Sequence, residues 1–203
     1  SDIRNFTSLA ERLNSQEVAE LLTVYFERTC DPVLKNGGRN LKFIGDGLMA
    51  VFSDTHSGSP LPAARRAVSA ALAMALATHE FRSWLQHRFA DRGLPPFAIG
   101  VGLHAGEVTL CRLGTLQNKE TTPIGDTVNV AARLESSSKE LGWTVVASNR
   151  VLERAGDGVQ TGGMTSLAVR GKNLYVDVAE ITGLVTNMDD KVHGMATLTE
   201  WAA

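Results

Sequence analysis

The chain has 203 residues, of which 43% are hydrophobic and 21% charged, an ordinary globular composition that excludes a disordered, coiled-coil or collagen-like protein. The formal net charge of −2 provides no global basic field, so nucleic acid is not an expected partner. Two cysteines make no disulfide framework and no apolar run reaches the roughly 18 residues of a membrane span, so we expect a cytoplasmic domain.

Five elements are predicted in the first half of the chain from periodicity and from capping or turn residues. A tight turn at Gly45-Asp46-Gly47 joins the two strands among them. Arg65 and Arg66 are expected on the solvated face of the last helix. In chain order the five are a short helix that begins at Ser8, a helix from Ser15 to about Lys35, strands at 39–44 and 48–52, and an Ala-rich helix at 63–89.

The second half is predicted to add strands at 97–104 and 108–113 around a turn, a helix at 126–141, a strand at 143–147, a short helix at 149–154, and strands at 165–169 and 174–181. Residues 114–120 are predicted to form a polar loop. Paired strands that alternate with helices predict an α/β (α+β) fold, in which helices lie over a mostly antiparallel sheet. No linker divides the chain, so we predict one domain at 1–183 and a tail at 184–203 without periodic structure.

Asp46 is the first candidate for chemistry, because it lies at the tip of a hairpin between two apolar strands. Asp-Gly is the most common hairpin signal, so Asp46 can also be a simple turn residue. The functional interpretation requires a second carboxylate at a neighbouring strand end, and Asp2 is the candidate. Two such carboxylates can bridge Mg²⁺ ions, which prefer oxygen ligands.

Two further polar groups stand in apolar surroundings. Asn129 and Arg133 are four residues apart and share one face of a predicted helix whose other residues are small or apolar. Lys42 lies in an apolar strand, where it either serves a ligand or extends from an edge strand into solvent. A solvated arginine beside a capping asparagine is the alternative for the first pair. His104, at a strand end, is better explained as a packed turn histidine than as a general base.

Four segments together resemble the catalytic domain of class III nucleotidyl cyclases, in order and at matching spacing over about residues 1–181. They are residues 1–7 (SDIRNFT), 38–52 (GRNLKFIGDGLMAVF), 102–108 (GLHAGEV) and 124–135 (IGDTVNVAARLE). The resemblance implies a ferredoxin-like βαββαβ core with additional C-terminal strands. It implies cyclisation of a nucleoside triphosphate with release of pyrophosphate, at sites shared by two subunits. Because this chain carries both halves of such a site, a homodimer with two equivalent sites is expected.

The same resemblance implies a role for individual residues, and two Mg²⁺ ions per site, for which Mn²⁺ can substitute. The apolar strand that precedes the first aspartate in the family is cut at Ser1, so the chain is expected to be a piece of a longer protein. The implied roles are metal binding by Asp2, Asp46 and the carbonyl of Ile3; binding of the β- and γ-phosphates by the backbone of Phe6 and Thr7; orientation of the ribose by Asn129; contact with the α-phosphate by Arg133; purine recognition by Lys42 and Thr122; and phosphate binding by Arg170, where a lysine is usual.

Base specificity is expected to favour ATP. Lysine has three donors and no acceptor, so Lys42 suits the acceptor N1 of adenine and opposes the N1–H of guanine. The hydroxyl of Thr122 can accept from the exocyclic amine of adenine. The resemblance therefore implies an adenylyl cyclase, in which the ribose 3′-hydroxyl attacks the α-phosphate to form 3′,5′-cyclic AMP.

The family context adds weaker expectations. The threonine form marks a bacterial-type subset that is often responsive to bicarbonate, and such domains are usually fused to a sensor, in proteins that can be membrane-anchored. The alternative function is a non-catalytic nucleotide-binding or dimerisation module. A diguanylate cyclase is disfavoured, because its Gly-Gly-Asp/Glu-Glu-Phe hairpin does not match Gly45-Asp46-Gly47-Leu48.

Overall fold

The computed structural model describes residues 1–55, 58–115, 117–169 and 174–185. No helix in these ranges has the length and apolar character needed to cross a bilayer. The elements are β1 (Asp2–Ile3), α1 (Phe6–Ala10), α2 (Ser15–Lys35), β2 (Arg39–Ile44), β3 (Gly47–Val51), α3 (Ala63–Arg88), a 3₁₀ turn (Ala90–Arg92), β4 (Ile99–Leu103), β5 (Thr109–Gly114), β6 (Lys119–Ile124), α4 (Asp126–Leu141), β7 (Val145–Ser148), α5 (Asn149–Ala155), β8 (Val159–Val169) and β9 (Leu174–Leu184).

The central sheet has the strand order β1-β4-β7-β9-β8, in which only the β4–β7 pair is parallel. The β2–β3 hairpin extends it beyond β1, because Leu48 N–H donates to the Ser1 carbonyl at 2.9 Å. The strands β2, β3, β1 and β4, with α1–α2 and α3 as their connections, form the ferredoxin-like βαββαβ core. The strands β7 to β9 are the additional C-terminal ones. The predicted fold class is confirmed.

The helices lie on two faces of this sheet. Successive residues of a strand point to opposite faces. Val145 and Ala147 of β7 belong to the main core beneath α2 and α3, whereas Val146 between them packs with Val130 and Leu134 of α4. Helix α4 therefore lies on the opposite face from α2 and α3.

The main core is rich in aromatic side chains. Tyr25 of α2 and Phe81 of α3 are buried, with ring centroids 5.8 Å apart, and Phe97 lies 4.6 Å from Phe81. These ring contacts, at an edge-on or tilted angle, add to the burial of the apolar surface. They fix the two long helices against the strands that carry the site.

Close packing of α4 on β4 depends on glycine. A Cβ at Gly102 would meet the Ala131 carbonyl and the backbone N of Glu135, and one at Gly100 would meet Ser138 Oγ. Only glycine permits this separation between helix and strand. The position of α4 relative to the sheet is thereby set by two residues of β4.

The first helix begins two residues earlier than predicted, whereas α2 begins at Ser15 as predicted. Helix α1 begins at Phe6 rather than at Ser8. The N-cap of α2 is Asn14, whose side chain accepts from the backbone N–H of Glu17 at 2.9 Å, while the Glu17 side chain accepts from Asn14 N–H at 2.8 Å. This is a reciprocal capping box.

The predicted loop at 114–120 is partly wrong, because β6 begins at Lys119 and continues to Ile124. The expected hairpin of the strands around residues 105–107 is wrong as well: β4 pairs with β1 and β7, whereas β5 pairs with β6. The polar sequence of β6 and its Pro123 hid the strand from periodicity analysis. The β5–β6 hairpin is separate from the central sheet and reaches β2.

Arg65 and Arg66 are buried, so the expected solvated face is wrong. Arg66 is 3% exposed and its guanidinium donates to three backbone carbonyls, at 2.9–3.1 Å. Arg65 donates to the carbonyls of Asp157 and Val185 at 2.6 and 2.9 Å. The carbonyls that Arg66 binds belong to Asn36, Ser53 and Leu61. Such buried cations are stabilised by hydrogen bonds to the backbone carbonyls of loops and of residues next to helix and strand ends.

Candidate active site

Asp2 and Asp46 meet where β1 runs beside the β2–β3 turn. Ile44 pairs with Gly47, so Gly45 and Asp46 form a two-residue turn, with Gly45 at φ +62°. Asp46 Oδ2 accepts a hydrogen bond from Ile3 N–H at 3.3 Å. Burial, followed by the hydrogen-bonding contact with Asp2 and its charge, raises the pKa of Asp46 to about 6. The structure thus brings together the two carboxylates that the sequence singled out.

The donor set at this position fits a hard divalent cation. Gly47 lies beside the pair: a Cβ there would be 3.3 Å from Asp2 Oδ1. Within the described ranges no group of three or more His, Cys, Asp or Glu side chains could hold a metal. Two carboxylates and a backbone carbonyl would leave several ligand positions to water and phosphate, which is the usual mode of Mg²⁺ binding.

Glu135 on α4 adds an acidic group near this pair, and it is not among the site residues expected from the sequence. Burial raises the pKa of Glu135, and the charge of Asp2 raises it further. In the sequence, Glu135 is the last residue of the segment 124–135 that resembles the cyclase family. Its proximity to Asp2 follows from the close packing of α4 against β4 at Gly102.

The first turn of α1 contains Phe6 and Thr7. Asn5 precedes it in a left-handed conformation, with φ 55°, and makes no side-chain capping bond to the helix. Its side chain instead accepts from Lys139 Nζ at 2.7 Å. The amides of the first turn carry the partial positive charge of a helix N-terminus, so they suit an anionic group.

The loop between β1 and α1 is anchored to the end of α4. The Arg4 guanidinium donates to the Trp143 carbonyl at 2.7 Å and to the Ser138 carbonyl at 3.2 Å. The Asn5–Lys139 bond adds a second connection. The segment that holds Asp2 is therefore fixed to a helix from the other half of the sequence.

Lys42 and Thr122 form a second polar group. Lys42 Nζ, on β2, donates to Thr122 Oγ1 on β6 at 3.2 Å. Glu120 Oε2, two residues before Thr122, lies 3.3 Å from the same ammonium. The structure brings together the two side chains predicted to recognise the purine. Glu120 was missed, because its place beside Lys42 becomes visible only once residues 119–124 are known to be a strand.

Asn129 and Arg133 lie in the first two turns of α4 and are exposed. Their neighbours Val130 and Leu134 are buried, so the two polar side chains occupy the outward face. Neither makes a side-chain hydrogen bond or ion pair with any residue in the described part of the chain, Asp2 and Asp46 included. Asn129 and Arg133 therefore lie on the surface of α4, where a ligand or a second chain can reach them.

Arg170 and His104 are the remaining candidates. Arg170 lies outside the described residues. His104 Nδ1 is 2.8 Å from the hydroxyl of Ser148, which is buried. Burial, with a smaller contribution from Arg150, lowers the pKa of His104. A packed histidine at the strand end matches this environment.

Comparison with known proteins places these features in a family. The model of the adenylate and guanylate cyclase catalytic domain matches residues 1–180. Adenylate cyclase 1 of Rhizobium meliloti (strain 1021) is 30% identical over 196 residues, which are 97% of this chain and 29% of that protein. Adenylate cyclase of Anabaena cylindrica is 31% identical over 151 residues, 74% of this chain and 29% of that protein. This chain therefore spans less than a third of the length of either relative.

Solved structures are similar over almost the whole chain. The guanylyl cyclase Cya2 superimposes with a TM-score of 0.81 at 28% identity, over 97% of this chain and 93% of that one. The adenylyl cyclase CyaB from P. aeruginosa does so with a TM-score of 0.72 at 27% identity, over 93% and 92% of the two chains. With the family model matched from residue 1 to residue 180, the chain belongs to the adenylate and guanylate cyclase catalytic domain family.

Proposed function

We propose that this domain is an adenylyl cyclase, which converts ATP to 3′,5′-cyclic AMP and pyrophosphate. The observation that carries the proposal is the convergence of Asp2 and Asp46 at the junction of β1 with the β2–β3 turn. Two relatives that align with most of this chain are named adenylate cyclases. Domains of this family generally use divalent metal ions and act on a nucleotide.

The residues for metal binding are Asp2, Asp46 and the carbonyl of Ile3, and the ions they would hold are two Mg²⁺, for which Mn²⁺ can substitute. Bound there, Mg²⁺ would lower the pKa of the ribose 3′-hydroxyl and neutralise charge on the phosphates. The strand that carries Asp2 is joined to the first turn of α1 by Arg4 and Asn5. The amides of Phe6 and Thr7 then bind the β- and γ-phosphates.

The chemical step needs stabilisation of the charge that develops at the α-phosphate. The Arg133 guanidinium supplies it, and Asn129 on the same helix face orients the ribose. Loss of one such donor typically lowers the rate about 10²- to 10³-fold. Arg170 would add a phosphate contact with a geometry different from that of lysine. No side chain acts as a covalent nucleophile, because the ribose hydroxyl attacks within the substrate.

Recognition of adenine is assigned to Lys42 and Thr122. The Lys42 ammonium donates to N1 of adenine, and the Thr122 hydroxyl accepts from the exocyclic amine. The 3.2 Å hydrogen bond from Lys42 Nζ to Thr122 Oγ1 supports this assignment, because it holds the two groups side by side, where one purine edge can reach both. Guanine presents a donor at N1, which opposes the ammonium.

We infer that the active form is a homodimer with two equivalent sites. Asn129 and Arg133 are exposed on α4 and have no partner in the described part of the chain, as expected of groups that serve a second copy. Large apolar side chains on the two hairpins are also about half exposed, and such patches mark association surfaces. They are Phe43 and Ile44 on β2, Leu110 and Leu113 on β5, and Ile124 on β6.

The wider context is proposed from the family. Because the chain spans 29% of each of two named relatives, we propose that the domain is joined to a sensor that controls it. We propose that it works in the cytoplasm and that bicarbonate is a candidate activator, given Thr122. A module that only binds nucleotide or dimerises is the alternative, and it is disfavoured because Asp2, Asp46, Asn129 and Arg133 are all present in one chain.

Incubation of the purified domain with ATP and Mg²⁺ or Mn²⁺, followed by chromatographic separation, tests the proposal. Cyclic AMP should appear at a specific rate that rises with protein concentration, because dimers form. GTP should be a poorer substrate in a parallel reaction. No cyclic AMP at a concentration where the protein is dimeric would contradict the assignment, and an Asp46→Ala variant is the inactive control.

A further inference from the structure

Glu135 of α4 and Asp2 of β1 lie on the same face of the central sheet. Ile3 belongs to the main core on the side of α2 and α3, so Asp2, its neighbour in the strand, points to the opposite face, where α4 packs. Asp2 is paired with Gly100 of β4. Glu135 Oε1 lies 2.6 Å from the position that a Cβ would take on Gly100. The Glu135 carboxylate therefore fills the place of a cross-strand neighbour of Asp2.

The Glu135 carboxylate has no directly bound cation in the described part of the chain. It is partly buried, accepts a hydrogen bond from Ser136 Oγ at 3.3 Å, and forms no ion pair with a described residue. The Arg4 guanidinium acts on its charge from nearby but donates to the carbonyls of Ser138 and Trp143. A partly buried charge without a paired cation is costly. A divalent cation held by the neighbouring aspartates would supply the missing positive charge.

We propose that Glu135 is a positioning residue for the divalent cations at Asp2 and Asp46, which acts on their bound water rather than as a direct ligand. A direct role is not supported, because no group of three acidic, histidine or cysteine side chains in the described ranges could hold one ion. Mg²⁺ usually keeps several waters, and carboxylates outside the ligand shell orient such ligands by hydrogen bonds. The inference rests on the proposed function, because it takes the two aspartates to be metal ligands.

The helix that carries Glu135 also carries Arg133, two residues earlier. Residues two apart on an α-helix are separated by about 200° around its axis, so Arg133 and Glu135 leave α4 on opposite sides. Arg133 is exposed, whereas Glu135 is partly buried against β4. Helix α4 would thus support the cations of its own chain with one side and the α-phosphate at the second copy's site with the other.

The size of the effect follows from what outer-shell partners contribute to metal sites. Loss of one such partner typically lowers metal affinity about 10- to 100-fold. Because Glu135 is only partly buried, solvent screens its charge, and we expect the lower end of that range, about tenfold. The change should appear in the Mg²⁺ concentration that gives half-maximal activity. The value of kcat at saturating Mg²⁺ should be unchanged, since Glu135 has no proposed contact with the substrate.

The experiment measures Mn²⁺ binding by electron paramagnetic resonance of the free ion, with α,β-methylene-ATP present, and urea unfolding in a chelator. Glu135→Gln keeps the shape of the side chain and removes its charge. Glu140→Gln makes the same change at an exposed position of the same helix and is the matched control. Glu135→Gln should weaken Mn²⁺ binding about tenfold, while the control binds as the wild type does. Glu135→Asp should restore part of the affinity, because it restores the charge on a shorter side chain.

Urea unfolding separates this role from a structural one. Metal-free Glu135→Gln should be at least as stable as the wild type, because a charge beside Asp2 has been removed. A less stable variant would overturn the inference, since Glu135 would then be a structural counter-charge for Arg4. An Mn²⁺ affinity equal to that of the wild type, or lowered no more than in Glu140→Gln, would overturn it as well.

The wild-type domain separates this inference from the proposed function. Mn²⁺ binding without formation of cyclic AMP from ATP would refute the proposed function, while the ratio of Mn²⁺ affinities still decides the role of Glu135. A wild-type domain that binds no Mn²⁺ in the presence of the ATP analogue would overturn both.

Discussion

The Asp46 carboxylate lies in hydrogen-bonding contact with Asp2, and it also accepts from the backbone N–H of Ile3 at 3.3 Å. Burial and the neighbouring carboxyl group raise the pKa of Asp46 to about 6. Two carboxyl groups in hydrogen-bonding contact share one proton more readily than they both ionise. At neutral pH the pair therefore opposes folding unless a cation is present.

Asp46→Asn should stabilise the metal-free domain at pH 7.5. A pKa raised from 3.8 to about 6 corresponds to about 3 kcal/mol, which solvent screening of a partly buried group reduces to about 1 kcal/mol. Urea unfolding in the presence of a chelator measures the difference. Asp91→Asn, at an exposed site, is the control. A destabilised Asp46→Asn variant would show that the pair is not repulsive.

The same pair predicts a pH dependence. The folded state holds the Asp46 proton more tightly than the unfolded state does. The contribution of protonated Asp46 to the free energy of unfolding is therefore complete below pH 3.8 and is lost as pH rises through about 6. Unfolding of wild type and Asp46→Asn should therefore differ most above pH 6 and converge at acidic pH. Added Mg²⁺ should reverse the order, since only wild type retains both carboxylates. A difference independent of pH would contradict this.

Arg133→Ala should lower kcat about 10²- to 10³-fold with little change in thermal stability. The guanidinium is exposed and makes no side-chain hydrogen bond or ion pair in the described part of the chain, so its loss should remove the proposed contact with the α-phosphate without disturbing packing. Steady-state kinetics and a melting curve measure the two quantities. Arg154→Ala, an exposed arginine of α5, should retain full activity. Equal rates for both variants would remove Arg133 from the mechanism.

Mixing Asp46→Ala with Arg133→Ala chains should restore activity. If subunits exchange at random, about half of the dimers contain one chain of each kind, and each of these has one intact site of two. The mixture should reach about a quarter of wild-type activity, while each variant alone is inactive. An inactive mixture, under conditions where exchange is shown by a mass-labelled subunit, would exclude shared sites.

Arg66→Ala should destabilise the domain by about 2–4 kcal/mol. The variant leaves the carbonyls of Asn36, Ser53 and Leu61 without their buried donor, and each unsatisfied group is costly. Denaturant unfolding measures the loss, with Arg154→Ala at an exposed position of α5 as the control. A loss no greater than that of the control would mean that water replaces the guanidinium.

The sequence predicted the segments with strong local signals. Helix α4 was expected at 126–141 and is found there, because Gly125 precedes it and Gly142 ends it in a left-handed conformation. The turn containing Asp46 was predicted for a similar reason. The proximity of Lys42 to Thr122, in contrast, was expected from the family resemblance and not from periodicity.

What the sequence concealed depends on distant parts of the chain. Arg66 looks like a surface cation until the carbonyls of the α2 C-cap residue, Asn36, and of the loop between β3 and α3 surround it. The strand β6 has little apolar alternation, and it is recognisable only by its pairing with β5. Glu120 and Glu135 gained their neighbours in the same way, since tertiary packing, and not local propensity, placed them beside Lys42 and Asp2.

The bonds from Arg4 and Asn5 to the end of α4 have a mechanical consequence. In the proposed homodimer, the segment that begins at Asp2 serves one catalytic centre, whereas Arg133 on the α4 of the same chain serves the other. A rigid displacement of that single helix would therefore reach both centres at once. An upstream signal that tilts α4 would switch the two halves of the assembly in concert.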